Sequence, residues 1–234
     1  EIVQGDWSSD VCSSDLLREL TVDASIGQQW RPCDDCVAGG GYDAATKRWP
    51  IPGHAHGRPE QLLPESDWST LVMRAGRGVG KTRVGGEGTL ELMTAFPKLR
   101  GAIVAPTFAD VNNTCLFGES GLIACMQRRG WREGDEYRIN RTTTQVWTSN
   151  GSQVQGYYAD IPKAAERLRG PQHHFGWWDE PGSMTWGWDA WANYLFGLRL
   201  PWPDGRRPKT IVTGTPRRVR LITELEERDR KSTR

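Results

Sequence analysis

Four short apolar runs punctuate the chain, each ending in glycine, proline or polar residues: "TLVMRA" (Thr70 to Ala75), "GAIVAPT" (Gly101 to Thr107), "FGWWDE" (Phe175 to Glu180) and "KTIVTGTP" (Lys209 to Pro216). Runs of this length without polar alternation read as strands buried on both faces. The intervening pattern predicts a helix over Lys81 to Ala95 and another through Leu122 to Arg128. "TTTQVWTSNGSQVQGYYA", Thr142 to Ala159, alternates instead, which predicts a β-hairpin. A two-residue turn is expected at Asn150-Gly151, because both residues tolerate positive φ. Apolar strands alternating with helices predict an α/β fold: a mostly parallel sheet flanked by helices, with a hairpin inserted. Residues 17–57 are rich in glycine, proline and polar residues ("VAGGGYD", "WPIPGHAHG") and predict an irregular lead-in.

The chain has 234 residues and is 37% hydrophobic, enough for a substantial core. With 30 basic and 29 acidic residues, its bulk charge does not mark a nucleic-acid binder, so such a contact would need a local patch. No apolar run is long enough to span a bilayer and no signal segment opens the chain, which predicts a cytosolic protein that is neither secreted nor membrane-bound. The stretches "DWSSDVCSSDL" (Asp6 to Leu16) and "DRKSTR" (Asp229 to Arg234) look like translations of a short-read sequencing adapter. Residues 1–16 and 229–234 are therefore set aside, and the folded unit is expected in residues 58–228.

The chemistry concentrates in "RAGRGVGKTRVGGEG", Arg74 to Gly88, between the first strand and the first helix. Successive backbone N–H groups and a helix N-terminus can cradle a phosphate there. The pattern G-x-x-x-x-G-K-[ST] is met except at its first position, Ala75, which ends a strand and needs only to be small. Gly76, Gly78 and Gly80 let the backbone approach a phosphate, and Arg77 and Val79 complete the loop. Lys81 is placed for the β- and γ-phosphates and the Thr82 hydroxyl for Mg²⁺. A nucleoside triphosphatase also needs an acidic residue at the end of a neighbouring strand. "FGWWDE" supplies Asp179 for the metal and Glu180 to align water. The expected cofactors are ATP and Mg²⁺. The competing reading is a glycine-rich turn and a strand end that meets solvent by chance.

These segments, in this order, resemble the large subunit of tailed-phage terminases, the ATP-driven motors that package viral DNA. The resemblance runs through "RPEQLLPESDW", "RAGRGVGKTRVGGE", "AIVAPTFAD", "GESGL", "ERLRGPQHHFGWWDE", "NYLFGLRL" and "TIVTGTPR", about residues 58–218. It implies a P-loop NTPase fold of the additional-strand (ASCE) type, in which a small residue other than glycine commonly opens the loop. It also implies that Gln61 contacts adenine, against the alternative of an exposed loop glutamine. Arg77, Arg167 and Arg169 are all candidates to neutralise charge on the γ-phosphate, and the resemblance does not choose among them. Thr213, Gly214 and Thr215 resemble the motif that couples hydrolysis to movement.

The implied partners are double-stranded DNA, the portal protein, the small terminase subunit and further copies in a ring. The implied location is the host cytoplasm, transiently at the procapsid portal. The family's C-terminal nuclease domain is not expected here, nor is DNA cleavage. A helicase-like or other P-loop ATPase acting on nucleic acid is the rival reading, and a truncated, non-catalytic nucleotide-binding fragment is another.

Three features carry less. Cys33, Cys36, His54 and His56 offer two thiolates and two imidazoles for zinc, but H-x-H is closer than the usual spacing, and reduced cysteines beside loop histidines are the preferred reading. The 12 tryptophans read as core or interface packing more readily than as a stacking surface for single-stranded nucleic acid. Arg217, Arg218 and Arg220 read equally as a phosphate track or a solvated helix start.

Overall fold

Alternate residues of each buried strand face opposite sides of one sheet, and two cores result. Leu71, Ile103, Trp177 and Ile211 pack into one cluster, while Val72, Val104, Trp178 and Val212, one position on, pack into the other. The computed structural model describes residues 2–5, 30–32, 37–41, 43, 56–65 and 67–225. Its strands are β1 (Ile2–Gly5), β2 (Thr70–Arg74), β3 (Arg100–Ala105), β4 (Tyr137–Asn140), β5 (Gln145–Thr148), β6 (Gln153–Tyr158), β7 (Phe175–Asp179) and β8 (Lys209–Gly214). They form an eight-stranded sheet in the order β1-β2-β8-β7-β3-β6-β5-β4. The pairs β2/β8, β8/β7, β7/β3 and β3/β6 are parallel, and the outer pairs are antiparallel. The last strand in sequence, β8, lies between β2 and β7, which is the additional-strand arrangement.

Helix α1 (Lys81–Ala95) follows the glycine loop where a helix from about Lys81 to Ala95 is expected, and α2 (Leu122–Arg128) lies where a second helix is expected. The second core lies under α3 (Pro162–Glu166) and α4 (Gly187–Gly197). Because α1 carries Gly85 where a side chain would meet the sheet, it packs directly on the Trp177 ring. Glu87 is buried on the same helix between Arg83 at 2.6 Å and Arg129 at 3.0 Å, which ties α1 to the turn after α2. Burying a carboxylate is tolerable only with such partners.

The hairpin differs from expectation. The connection from β5 to β6 is Ser149 to Ser152; Thr148 N–H donates to Ser152 O and Gly151 N–H to Thr148 O, each at 2.9 Å, so three residues, Ser149 to Gly151, turn between the paired Thr148 and Ser152. Only Gly151 takes positive φ, at 85°, so the turn is the type I plus bulge form rather than the two-residue form. Asn150 instead uses its side chain: its Nδ2 donates to Met93 O over 2.9 Å, anchoring the hairpin to the end of α1. Neither β4 nor β1 is announced by the apolar pattern. Residues 2–5, which the sequence pattern sets aside with 1–16, pair antiparallel with β2 at the open edge. The rest of that segment, residues 229–234 and most of the 17–57 lead-in lie outside the described residues.

Candidate functional site

The parallel strands β2, β8, β7 and β3 all end on one edge of the sheet, and the loops leaving them carry the predicted residues. From the end of β2 the chain runs through Ala75 to Gly80 and enters α1 at Lys81. Ala75 is tied to the neighbouring strand end by its N–H, which donates to Gly214 O over 3.1 Å. Gly80 adopts a left-handed φ of 88°, which a side chain would strain. A Cβ on Gly76 or Gly78 would meet nothing within 4 Å, so both face open space.

Lys81 folds back over the loop: its Nζ donates to Ala75 O at 2.9 Å and Gly76 O at 3.0 Å. The same ammonium lies 3.6 Å from Glu180 Oε1. The loop lysine and the acidic pair at the end of β7 therefore meet, although about 100 residues of chain separate them.

Asp179 is buried, and each of its oxygens has a partner. Thr213 Oγ1 donates to Oδ1 over 2.7 Å, and the Cys115 thiol lies 3.8 Å from Oδ2. Trp177 Nε1 in turn donates to Thr213 Oγ1 over 2.7 Å, so indole, hydroxyl and carboxylate form a chain across β7 and β8. Burial pushes the Asp179 carboxyl up to about 6; the Glu180 charge adds to the rise, and the Thr213 hydrogen bond and Lys81 oppose it. Burial, with the Asp179 charge beside it, also pushes the Cys115 thiol well above its ordinary range. Cys115 belongs to a π-helical turn, Val111–Leu116, after β3. Wide turns of this kind concentrate at functional sites.

Glu180 sits at φ 47°, ψ 50°, an uncommon left-handed conformation for a residue with a side chain. Its N–H donates to Thr213 O over 2.7 Å. Its carboxylate accepts twice from Thr215, from the backbone N–H at 2.9 Å and from the hydroxyl at 2.8 Å. The Thr213 to Thr215 segment thus touches both carboxylates: Thr213 holds Asp179 and Thr215 holds Glu180.

Gln61 is buried rather than an exposed loop residue. Its Nε2 donates to Val79 O over 2.8 Å, so it lies directly against the phosphate loop. Arg77 is exposed on the loop, and Thr82 stands on the first turn of α1. Arg167 and Arg169 lie in a 3-10 turn, Arg167–Arg169, and both are exposed. Arg169 covers the Phe196 ring at 5.5 Å, and neither arginine is brought to the loop by a hydrogen bond or ion pair among the described residues.

Two contacts at the candidate site escape the motif pattern: Arg58 Nη2 donates to Val79 O over 2.7 Å, and the Cys115 thiol lies against Asp179; only the position of Arg58 within "RPEQ" offered a signal. Of the proposed zinc ligands, Cys33, Cys36 and His54 lie outside the described residues; among those described, no group of three or more His, Cys, Asp or Glu could hold a metal. Trp177, Trp178 and Trp191 are core residues, as expected, whereas Trp186 is 38% exposed. Arg220 covers the Trp188 ring at 4.1 Å, at the start of the helix over 220–225. No helix among the described residues is long and apolar enough to cross a membrane.

No protein-family model and no curated protein matches the chain. Solved structures do. The large terminase of the thermophilic bacteriophage D6E in complex with ADP is 14% identical, with a TM-score of 0.53 over 69% of this chain and 38% of that one. A second crystal form of the D6E protein gives 16% identity and a TM-score of 0.51 over 68% of this chain and 38% of that one. The D6E complex with ATP-gamma-S gives 16% and 0.50 over 69% and 37%. The matched region is thus well under half of those proteins. At this level of identity the likeness is one of architecture: the chain has the P-loop fold of phage large terminases.

Proposed function

We propose that this chain is an ATPase motor domain of a phage terminase large subunit, hydrolysing ATP to translocate double-stranded DNA into a procapsid. One observation carries the reading. The phosphate-loop lysine and the acidic pair converge on the strand ends that flank β8, with Lys81 Nζ 3.6 Å from Glu180 Oε1. The nucleotides held by the D6E structures, ADP and ATP-gamma-S, support it.

In this reading the N–H groups from Gly76 to Thr82 and the Lys81 ammonium hold the β- and γ-phosphates. Asp179 fits a metal ligand by its place and chemistry: a buried carboxylate at the end of β7, next to Glu180, which lies 3.6 Å from the loop lysine. One carboxylate and the Thr82 hydroxyl match the sparse protein ligation of Mg²⁺, which takes its remaining ligands from phosphate and water. Bound there, Mg²⁺ supplies charge neutralisation at the phosphates. Glu180 orients the attacking water, with Thr215 holding its carboxylate. Arg77, Arg167 or Arg169 neutralises charge on the γ-phosphate, from the same subunit or from a neighbour in a ring. Portal protein and small terminase subunit are the expected partners, at the procapsid in the host cytoplasm.

The test is thermal unfolding with and without Mg²⁺-ATP, on the wild type and on Lys81→Ala. A ligand that binds only the folded form at about 100 times its Kd stabilises it by about 2.7 kcal/mol. The wild type is expected to shift and the variant not to shift; an unshifted wild type refutes the reading. Capture of a portal protein separates a packaging motor from a helicase-like ATPase.

A further inference from the structure

The Val79 carbonyl is held twice. Arg58 Nη2 donates to it over 2.7 Å and Gln61 Nε2 over 2.8 Å. These donors are themselves joined, since the Arg58 N–H donates to Gln61 Oε1 over 3.0 Å. Glu60 steadies the guanidinium, with its Oε1 3.2 Å from Arg58 Nε. All three residues lie at one 3-10 turn, Pro59–Gln61, with Arg58 as its cap. The turn is packed close to the loop: a Cβ on Gly80 would stand 2.6 Å from Gln61 Nε2.

In a trans peptide the C=O and N–H of one plane point in opposite directions. Pinning the Val79 carbonyl toward Arg58 and Gln61 therefore aims the Gly80 N–H away from them. That N–H makes no hydrogen bond among the described residues. A single hydrogen bond would leave the plane free to rotate about the flexible Gly80, whereas two donors converging on one oxygen oppose rotation in either sense.

We infer that Arg58 and Gln61 form one brace that fixes the Val79–Gly80 peptide plane and presents the Gly80 N–H to a phosphate oxygen. They are positioning residues for the phosphate chain of any nucleotide, in addition to whatever base contact Gln61 makes. The inference rests on the reading of Ala75 to Thr82 as a phosphate site. It differs from a pure adenine-contact role in one consequence: loss of the brace weakens ligands that carry no base.

The probes are Mg²⁺-ATP and inorganic triphosphate, measured by calorimetry on the full chain as wild type, Arg58→Met and Gln61→Leu. Each substitution is expected to weaken both ligands by about tenfold or more, as for loss of a buried or charge-assisted hydrogen bond. The double variant should fall short of the product of the two losses, because the residues act as a unit. Arg58→Lys, which keeps the charge and stem, serves if Arg58→Met fails to fold, and is expected to bind both ligands less tightly than wild type. Triphosphate binding equal to wild type in folded variants, with the loss confined to ATP, overturns the brace and leaves a base contact. A wild type that binds ATP but not triphosphate overturns the brace as well. A wild type that binds neither ligand instead refutes the phosphate site itself, and the inference with it.

Discussion

Thr215 grips both carboxylate oxygens of Glu180, its N–H on Oε2 at 2.9 Å and its hydroxyl on Oε1 at 2.8 Å. A carboxylate at the end of a three-carbon side chain has several rotamers to choose from, and the paired donors select one. The backbone adds to the restraint, since Glu180 occupies left-handed space at φ 47° with its N–H held by Thr213 O. Strained residues persist where surrounding contacts over-determine them.

Removing one of these bonds tests what the grip does. Thr215→Val keeps the shape and the N–H bond but deletes the hydroxyl. Steady-state hydrolysis is expected to show kcat about tenfold lower with KM little changed, and Thr215→Ser to recover most of it. An unchanged kcat would mean that Glu180 needs no such orientation.

Glu180→Gln keeps the size of the side chain and removes its charge and basicity. Turnover is expected to fall by about 100-fold or more, the usual scale for a group acting on the nucleophile's proton, while ATP binding persists. Equilibrium binding and single-turnover hydrolysis measured side by side check both halves. Retained hydrolysis removes Glu180 from its assigned role.

Gly85 meets the Trp177 ring so closely that an added Cβ would stand 2.0 Å from Cε2 and 2.2 Å from Nε1. A buried tryptophan in a packed strand has little room to retreat, and its Nε1 is committed to Thr213. Gly85→Ala should therefore lose about 1–3 kcal/mol in denaturant unfolding, despite the better helix propensity of alanine. A stabilised Gly85→Ala would show that α1 can lift from the sheet without cost.

His173 supplies a pH dependence with a definite sign. Its ring is buried between Tyr157 and Tyr194, and neither nitrogen has a hydrogen-bond partner among the described residues. Burial, reinforced by His174, pulls its pKa down from 6.5 to about 4. The unfolded chain then binds the proton more readily than the folded one, so stability is complete above about pH 6.5 and declines as pH falls toward 4. The full loss is about 3 kcal/mol. His173→Leu should flatten that part of the stability-versus-pH curve, and an unchanged slope would place the acid sensitivity elsewhere.

The sequence by itself determined the parts that local chemistry decides. The apolar runs marked β2, β3, β7 and β8, because a strand buried on both faces cannot carry polar alternation. A helix from about Lys81 to Ala95 was legible as the element that follows a glycine loop, and that loop and the acidic pair after Trp178 stood out by residue type and order. Tertiary structure decided everything that depends on which distant residues meet. Insertion of β8 between β2 and β7 is a pairing choice that no local window contains. The same holds for Cys115 reaching Asp179 across 64 residues and Arg58 reaching Val79 across 21. Even the hairpin turn was settled by packing: Asn150 is drawn to the end of α1, leaving Gly151 alone in left-handed space. Periodicity and motif spacing are short-range signals, whereas the shape of the site is set by long-range contacts that exist only once the sheet has closed on its two cores.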